Sequence, residues 1–107
     1  GYRYFRRVGN RVLLGGFRNW DVGNETTDEF GITDKIQQLL ERFMSDVICN
    51  GDSPRIDYRW SGILGMGDQK TTIVKRYSEN LVVAVRMGGM GVAIGSLVGK
   101  ELAELIE

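Results

Sequence analysis

The residues whose types and spacing could do chemistry are gathered in the last third of the chain. A short apolar run, Leu81-Val82-Val83-Ala84-Val85, leads into Arg86-Met87-Gly88-Gly89-Met90-Gly91, and an amphipathic segment follows from Val92 to Ile106. A Val-rich run of this length suits a strand buried on both faces. The glycines after it permit backbone conformations that a side chain forbids. A helix beginning at or just after Gly91 leaves several backbone N–H groups unpaired in its first turn. Those donors and the helix dipole attract negative charge or a polar acceptor. Strand, glycine turn and helix N-terminus together make a corner suited to contact a cofactor.

Gly89-Met90-Gly91-Val92-Ala93-Ile94-Gly95 spells G-x-G-x-x-x-G, a near miss to the dinucleotide fingerprint G-x-G-x-x-G. An intact dinucleotide-binding unit is not expected. It needs a second strand after the helix and an acidic residue roughly 20 positions further on, and Glu107 comes before either could form. The competing reading of the same glycines is close packing. Gly91, Gly95 and Gly99 recur every four residues and would let another element approach one helix face.

The elements that must position this corner come from a chain of 107 residues, enough for one small domain. Hydrophobic residues make up 42%, which argues against disorder. Lys+Arg and Asp+Glu are equal at 14 each, so no global charge draws the chain to nucleic acid or anionic lipid. No apolar stretch is long enough to span a membrane, and no signal peptide is visible. The single cysteine, Cys49, excludes an internal disulfide and fits a reducing, cytoplasmic setting. Histidine is absent, which removes His-based triads and His-bearing zinc sites. Asp28-Glu29 offer too few ligands for a metal site, so no metal is expected.

In chain order, Tyr2 to Gly16 reads as a hairpin turning at Gly9-Asn10. Its arginines Arg3, Arg6, Arg7 and Arg11 read as a solvated strand face. Gly15-Gly16 to Gly31 is a loop in which Phe17 and Trp20 either plug the core or cover a ligand. Asp34 to Cys49 is the clearest helix. Ile36, Leu39, Leu40, Phe43, Met44, Val47 and Ile48 form one apolar stripe that must cover a sheet. Thr33 or Asp34 can cap it, and Asn50-Gly51 can end it in a left-handed turn. Pro54 to Gly67 reads as a long strand in which Gly62, Gly65 and Gly67 mark a bend, a bulge or the close approach of a ligand. Thr71 to Tyr77 is a further strand. The expected fold is α+β, a mainly antiparallel sheet with two helices in the order β-β-α-β-β-β-α.

Arg59-Trp60-Ser61-Gly62, Thr72-Ile73-Val74, Leu81-Val82-Val83-Ala84-Val85 and Gly88-Gly89-Met90-Gly91-Val92 follow one another in an order that resembles the C-terminal portion of FAD-dependent oxidoreductases of the D-amino-acid oxidase and glycine oxidase superfamily. There a W-x-G strand leads to a P-I-I/V strand, a hydrophobic strand, a Gly-rich turn and a final helix ending in an la-x-li pattern. Ala103-Glu104-Leu105-Ile106 is similar to that ending, and Arg11-Val12-Leu13-Leu14-Gly15-Gly16 to the family's G-r-x-l-l-G-g hairpin. The resemblance covers nearly all of the chain. Two positions depart from it: Leu64 stands where the family often has an arginine that pairs with a substrate carboxylate, and Thr72 where it has proline. Amino-acid specificity therefore does not follow from position 64.

The resemblance implies FAD as cofactor and a small amine or amino-acid-like substrate whose hydrogen passes as hydride to the flavin, with negative charge developing near the flavin N1 and C2 carbonyl. It assigns Arg86, Met87, Gly88, Gly89, Met90, Gly91 and Val92 to the cofactor, the helix N-terminus facing that charge and Arg86 adding a cation. Tyr4, Tyr58, Arg59 and Leu64 are its substrate-side candidates. It divides the chain into substrate-domain elements over 1–79 and a flavin-contacting end over 80–107. The G-x-G-x-x-G strand and helix that hold the FAD diphosphate are not in this sequence. The chain by itself is therefore expected to be an inactive fragment that binds FAD weakly and self-associates through apolar surface around Met87, Met90 and Val92. The alternative is a non-enzymatic α+β domain used for binding or assembly, in which Gly88 to Gly99 only pack.

Overall fold

A tight hairpin opens the computed structural model, which describes residues 3–107; Tyr2, the expected first strand residue, lies outside them. Strand β1 (Arg3–Val8) pairs antiparallel with β2 (Arg11–Gly16), from Arg3 opposite Gly16 to Val8 opposite Arg11. The turn is Gly9-Asn10 as the sequence predicts, with Gly9 at φ +61 and its carbonyl accepting from Arg7 Nε at 2.7 Å. Tyr4 sits opposite Gly15, and its ring lies where a Cβ on that glycine would stand. An aromatic ring laid over a cross-strand glycine restores packing that the glycine lacks.

Phe17 follows β2 in a left-handed conformation, φ +68, and is 4% exposed. Its ring meets Trp20 and Phe43 edge-on, at centroid distances of 6.1 and 5.7 Å. The Arg3 guanidinium lies 5.3 Å from the Phe17 centroid and 5.1 Å from that of Phe43. Of the two roles open to Phe17, plugging the core is the one observed. A 3₁₀ turn (Arg18–Trp20) and a single helical turn, α1 (Val22–Glu25), carry the chain on to α2 (Asp34–Phe43).

Thr33 is the residue that caps α2, through its carbonyl rather than its side chain: Gln37 N–H donates to Thr33 O at 2.9 Å. The helix then widens into a π-helical turn (Met44–Ile48), closed by Cys49 N–H reaching back five residues to Met44 O at 2.8 Å. Asn50 and Gly51 end it at φ +52 and +93, as expected. The wide turn breaks the three-four rhythm of the apolar stripe. Ile36 is buried at 8% exposure and Leu39, Leu40, Phe43, Met44 and Ile48 are half-buried, whereas Val47 is turned out at 61%.

The long strand expected over Pro54 to Gly67 is a correction. The chain there has no strand pairing and is largely exposed. Both neighbouring strand pairs are self-contained hairpins, and the glycines at 62, 65 and 67 remove the side chains by which a strand grips a sheet. Side-chain contacts hold it instead. Arg59 Nε meets Glu41 Oε1 at 2.6 Å, Ser61 Oγ donates to Gly31 O, and Asp57 takes both Arg55 (2.7 Å) and Arg11 (3.1 Å).

Contacts gather into two units, Gly1–Ile63 and Leu64–Glu107. In the second, β3 (Ile73–Ser78) pairs antiparallel with β4 (Leu81–Val85), Ile73 opposite Val85, with a register shift between Arg76 and Ser78. The sheets are therefore two separate two-stranded antiparallel pairs, within the expected α+β class. Helix α3 (Gly91–Glu104) packs on β3 and β4 and buries Val98. Val82, Val83 and Ala84 are half-buried rather than covered on both faces, because β4 has a helix on one side only among the described residues. Arg76 ties the helix end to the hairpin: Nη1 donates to Glu79 O at 3.0 Å and Nη2 to Leu105 O.

Phe17 is the residue on which the first unit's core turns. Phe17→Ala is expected to lower its stability by roughly 3–5 kcal/mol, read from urea unfolding. Phe17→Gly should lose about 1 kcal/mol less, because glycine accepts the left-handed backbone. Equal losses in the two variants would show that the backbone there carries no strain.

Candidate functional site

The candidate cofactor corner lies in the second unit. Beyond β4 the backbone turns left-handed at Arg86 (φ +67), Gly88 (φ +59) and Gly89 (φ +83). Met90 N–H closes the turn on Met87 O at 2.9 Å. Glycine meets two of the three left-handed positions without steric cost, which is the local reason for the Gly-Gly pair. Helix α3 starts immediately afterwards. Met90 O accepts from both Ala93 and Ile94 N–H at 3.0 Å, and the N–H groups of Gly91 and Val92 have no partner among the described residues.

Leu64 and Gly65 stand across from this turn, and between them runs an open groove of about 480 Å³. Of the seven residues assigned to the cofactor, Arg86, Met87, Gly88, Gly89, Gly91 and Val92 line it, and Met90 does not. Leu64, a substrate-side candidate, lines it too, with Cδ2 3.9 Å from the place a Cβ on Gly89 would take. A Cβ on Gly91 would touch Met87 Sδ at 3.4 Å, so that sulfur fixes the inner edge of the helix start. Around Gly95 and Gly99 nothing approaches within 4 Å of an added Cβ, so these two glycines do not serve close packing inside this unit. Arg86, the expected cation, folds its side chain back onto the segment before β3. Its Nε donates to Met66 O at 2.8 Å, and its Nη2 is buried with no partner among the described residues.

The other substrate-side candidates lie in the first unit. Tyr4 lays its ring over Gly15 and is exposed. Tyr58 is 69% exposed, with the Arg11 guanidinium 5.7 Å from its centroid. Arg59 is paired with Glu41 rather than free. That contact, helped by Gln37 Nε2 donating at 2.8 Å, holds the Glu41 carboxyl below the usual carboxylate range. Asp21 is likewise held low, first by the Asn24 amide and then by Lys35 at 3.4 Å. A smaller cavity of about 60 Å³ lies beside Glu25, Ile36 and Trp60, where Glu25 Oε1 is buried without a partner. Neither the Arg86–Met66 contact nor the Glu25 cavity follows from sequence spacing. The glycines at 62, 65 and 67 read as a bend, a bulge or the close approach of a ligand, whereas the group that approaches Gly67 is the chain's own Arg86 side chain.

A family model described as FAD dependent oxidoreductase (DAO) matches residues 1–105. The chain therefore belongs to the DAO family of FAD-dependent oxidoreductases. No curated protein and no solved structure gives a match. FAD is accordingly the cofactor of the full-length enzyme. The groove residues fit one edge of such a group: side-chain-free backbone at Gly88 and Gly89, unpaired donors at Gly91 and Val92, and an orphaned buried donor on Arg86. No helix among the described residues is long and apolar enough to cross a membrane.

The Arg59–Glu41 pair gives a pH prediction. A carboxyl whose folded pKa is depressed contributes stability that is complete above its unfolded value, 4.5 for glutamate, and is lost as pH falls through the folded value. Arg59→Met should therefore cost at most about 1 kcal/mol at neutral pH, since both partners are partly exposed. The difference from the unaltered chain should vanish in acid and in 1 M salt. Urea unfolding across pH 2–7 checks this, and a loss that persists in acid would locate the contribution in packing of the Arg59 stem.

Proposed function

We propose that this chain forms the part of an FAD-dependent oxidoreductase that borders the redox edge of the flavin, acting on an amine or amino-acid-like small molecule. The observation that carries the reading is the groove at the start of α3, where unpaired Gly91 and Val92 N–H groups meet a side-chain-free Gly88-Gly89 turn. When bound, FAD supplies the redox chemistry by accepting hydride from the substrate. The chain's own contribution is electrostatic and steric. Donors fixed at the helix start stabilise negative charge where it develops, and they need little reorganisation to do so. Gly88 and Gly89 let a flat ring edge approach the backbone. Leu64 and Met87 line the same groove with apolar surface and limit water there.

Several finer assignments belong to this proposal. Leu64 is the substrate-side residue it places in the groove. Tyr4 and Tyr58 offer exposed rings to a substrate in the full-length enzyme, and Arg59 would have to leave Glu41 to meet a carboxylate. Residues 80–107 serve the flavin and 1–79 the substrate side. The chain alone binds FAD weakly and does not turn over substrate, because the fingerprint for the diphosphate is not in its sequence. It self-associates through apolar surface that includes Met90 and the fully exposed Val92. The enzyme works in the cytoplasm.

Gly91→Val in the full-length enzyme tests the reading. Gly91 is not left-handed, so the variant acts through bulk at the helix start and against Met87. Flavin affinity should fall on the order of tenfold or more, the equivalent of one lost hydrogen bond. Gly99→Ala is the control. Open space surrounds that position, so alanine should leave flavin bound and stabilise the apo form by up to about 1 kcal/mol through helix propensity. Bound flavin per chain by absorbance, beside thermal unfolding of the apo form, decides. Full flavin occupancy in Gly91→Val would return these glycines to a packing role.

A further inference from the structure

Arg86 is the most constrained residue of the groove. Its backbone is left-handed, a state a residue with a side chain holds only when its surroundings enforce it. Its side chain folds back onto the Leu64–Gly67 segment. There Nε donates to Met66 O at 2.8 Å, and Nε and Cδ lie 2.7 and 2.8 Å from where a Cβ on Gly67 would stand. Gly67 is itself left-handed, φ +63. The guanidinium thus occupies space that only a glycine leaves open. Leu64–Gly67 belongs to no strand, yet Leu64 and Gly65 make one wall of the groove. Among the described residues, the Arg86–Met66 hydrogen bond is the only side-chain hydrogen bond that holds this wall to the turn after β4.

We propose that Arg86 is a positioning residue, a latch whose Nε sets the Leu64–Gly67 wall and whose Nη2 couples that wall to an oxygen acceptor brought by the groove's ligand. Nη2 is buried and has no acceptor among the described residues. A buried unpaired donor opposes the closed latch. The wall therefore opens readily when the groove is empty and is held when a carbonyl or carboxylate oxygen meets Nη2. This rests on the reading of the groove as the flavin-edge site. The acceptor can come from the flavin carbonyls or from a substrate carboxylate, and the two are separable.

The test is thermolysin cleavage within residues 63–67 of the full-length enzyme, mapped by mass spectrometry. It is run on the apo form, with FAD, and with FAD plus acetate as a carboxylate probe. Arg86→Met and Gly67→Ala should each speed cleavage of the apo form roughly tenfold, as loss of one charged hydrogen bond implies. The double variant should be no faster than the faster single one, because both break the same latch. FAD should protect the unaltered enzyme and not Arg86→Met; protection that needs acetate as well assigns the acceptor to the substrate. Arg76→Met, which releases α3 from its hairpin, should not speed cleavage at the wall selectively. Wild-type cleavage rates in Arg86→Met, or full rescue by Arg86→Lys, overturn the latch. If Arg86→Met fails to fold, Gly67→Ala carries the test with the arginine retained. Normal latch behaviour in the apo forms with no protection by FAD in the unaltered enzyme overturns the flavin reading of the groove and leaves the latch itself standing.

Discussion

The first turn of α3 has backbone donors that no described residue satisfies, and the second unit is arranged around that deficit. A helix cannot pair its own first N–H groups, and most helices meet the requirement with a side-chain oxygen just before the first turn. Met90 occupies that place here and provides none. The Arg86–Gly89 turn leading into it is left-handed at three positions and also brings no side-chain acceptor. Donors left open beside a groove are costly in isolation and useful next to a ligand that accumulates negative charge. Every other element of the unit supports this geometry. The β3–β4 hairpin aims the chain, Val98 seats the helix on it, and Arg76 fixes the far end of the helix through Leu105 O.

Local chemistry made much of this legible in the sequence. The Gly9-Asn10 and Asn50-Gly51 turns, the β4 run and the start of α3 all rest on a few adjacent residues whose conformational preferences agree. The groove was legible for the same reason, since six of its lining residues are contiguous or nearly so. What escaped the sequence depends on partners distant along the chain. Pro54 to Gly67 has strand-like residues, but a strand exists only where another strand pairs with it, and both available hairpins are complete. The apolar stripe of α2 predicted a burial for Val47 that a π-helical turn rotates away, and nothing in the spacing announces that turn. Arg59 read as a possible substrate cation, and its partner Glu41 lies 18 residues away on a different element.

Burial is thin in both units. Among the described residues only Phe17, Ile36 and Val98 are buried apolar side chains, while Trp20, Phe30, Trp60 and Val92 stand more than half exposed. With so little core, specific contacts decide shape to an unusual degree. The first unit uses an aromatic cluster with an arginine over it and a network of exposed ion pairs. The second uses two arginines, 76 and 86, each making hydrogen bonds to backbone carbonyls. Guanidinium suits this task because its donors are fixed in a fork and the group stays charged at any working pH.

Leu64 raises the question of what reads the substrate. The family resemblance placed a carboxylate-pairing arginine there, and leucine gives that part of the groove wall a branched aliphatic group instead. Arg86 is the only cation among the groove-lining residues, and one of its donors is already committed to Met66 O. Only Nε is committed there, so the Nη2 group buried at the groove keeps its N–H donors for an acceptor. Leu64 and Met87 give this groove its apolar wall, and Arg86 is the cation that lines it. The sequence departure at position 64 and the geometry of Arg86 meet in one groove, so substitutions at the two positions should be coupled rather than additive.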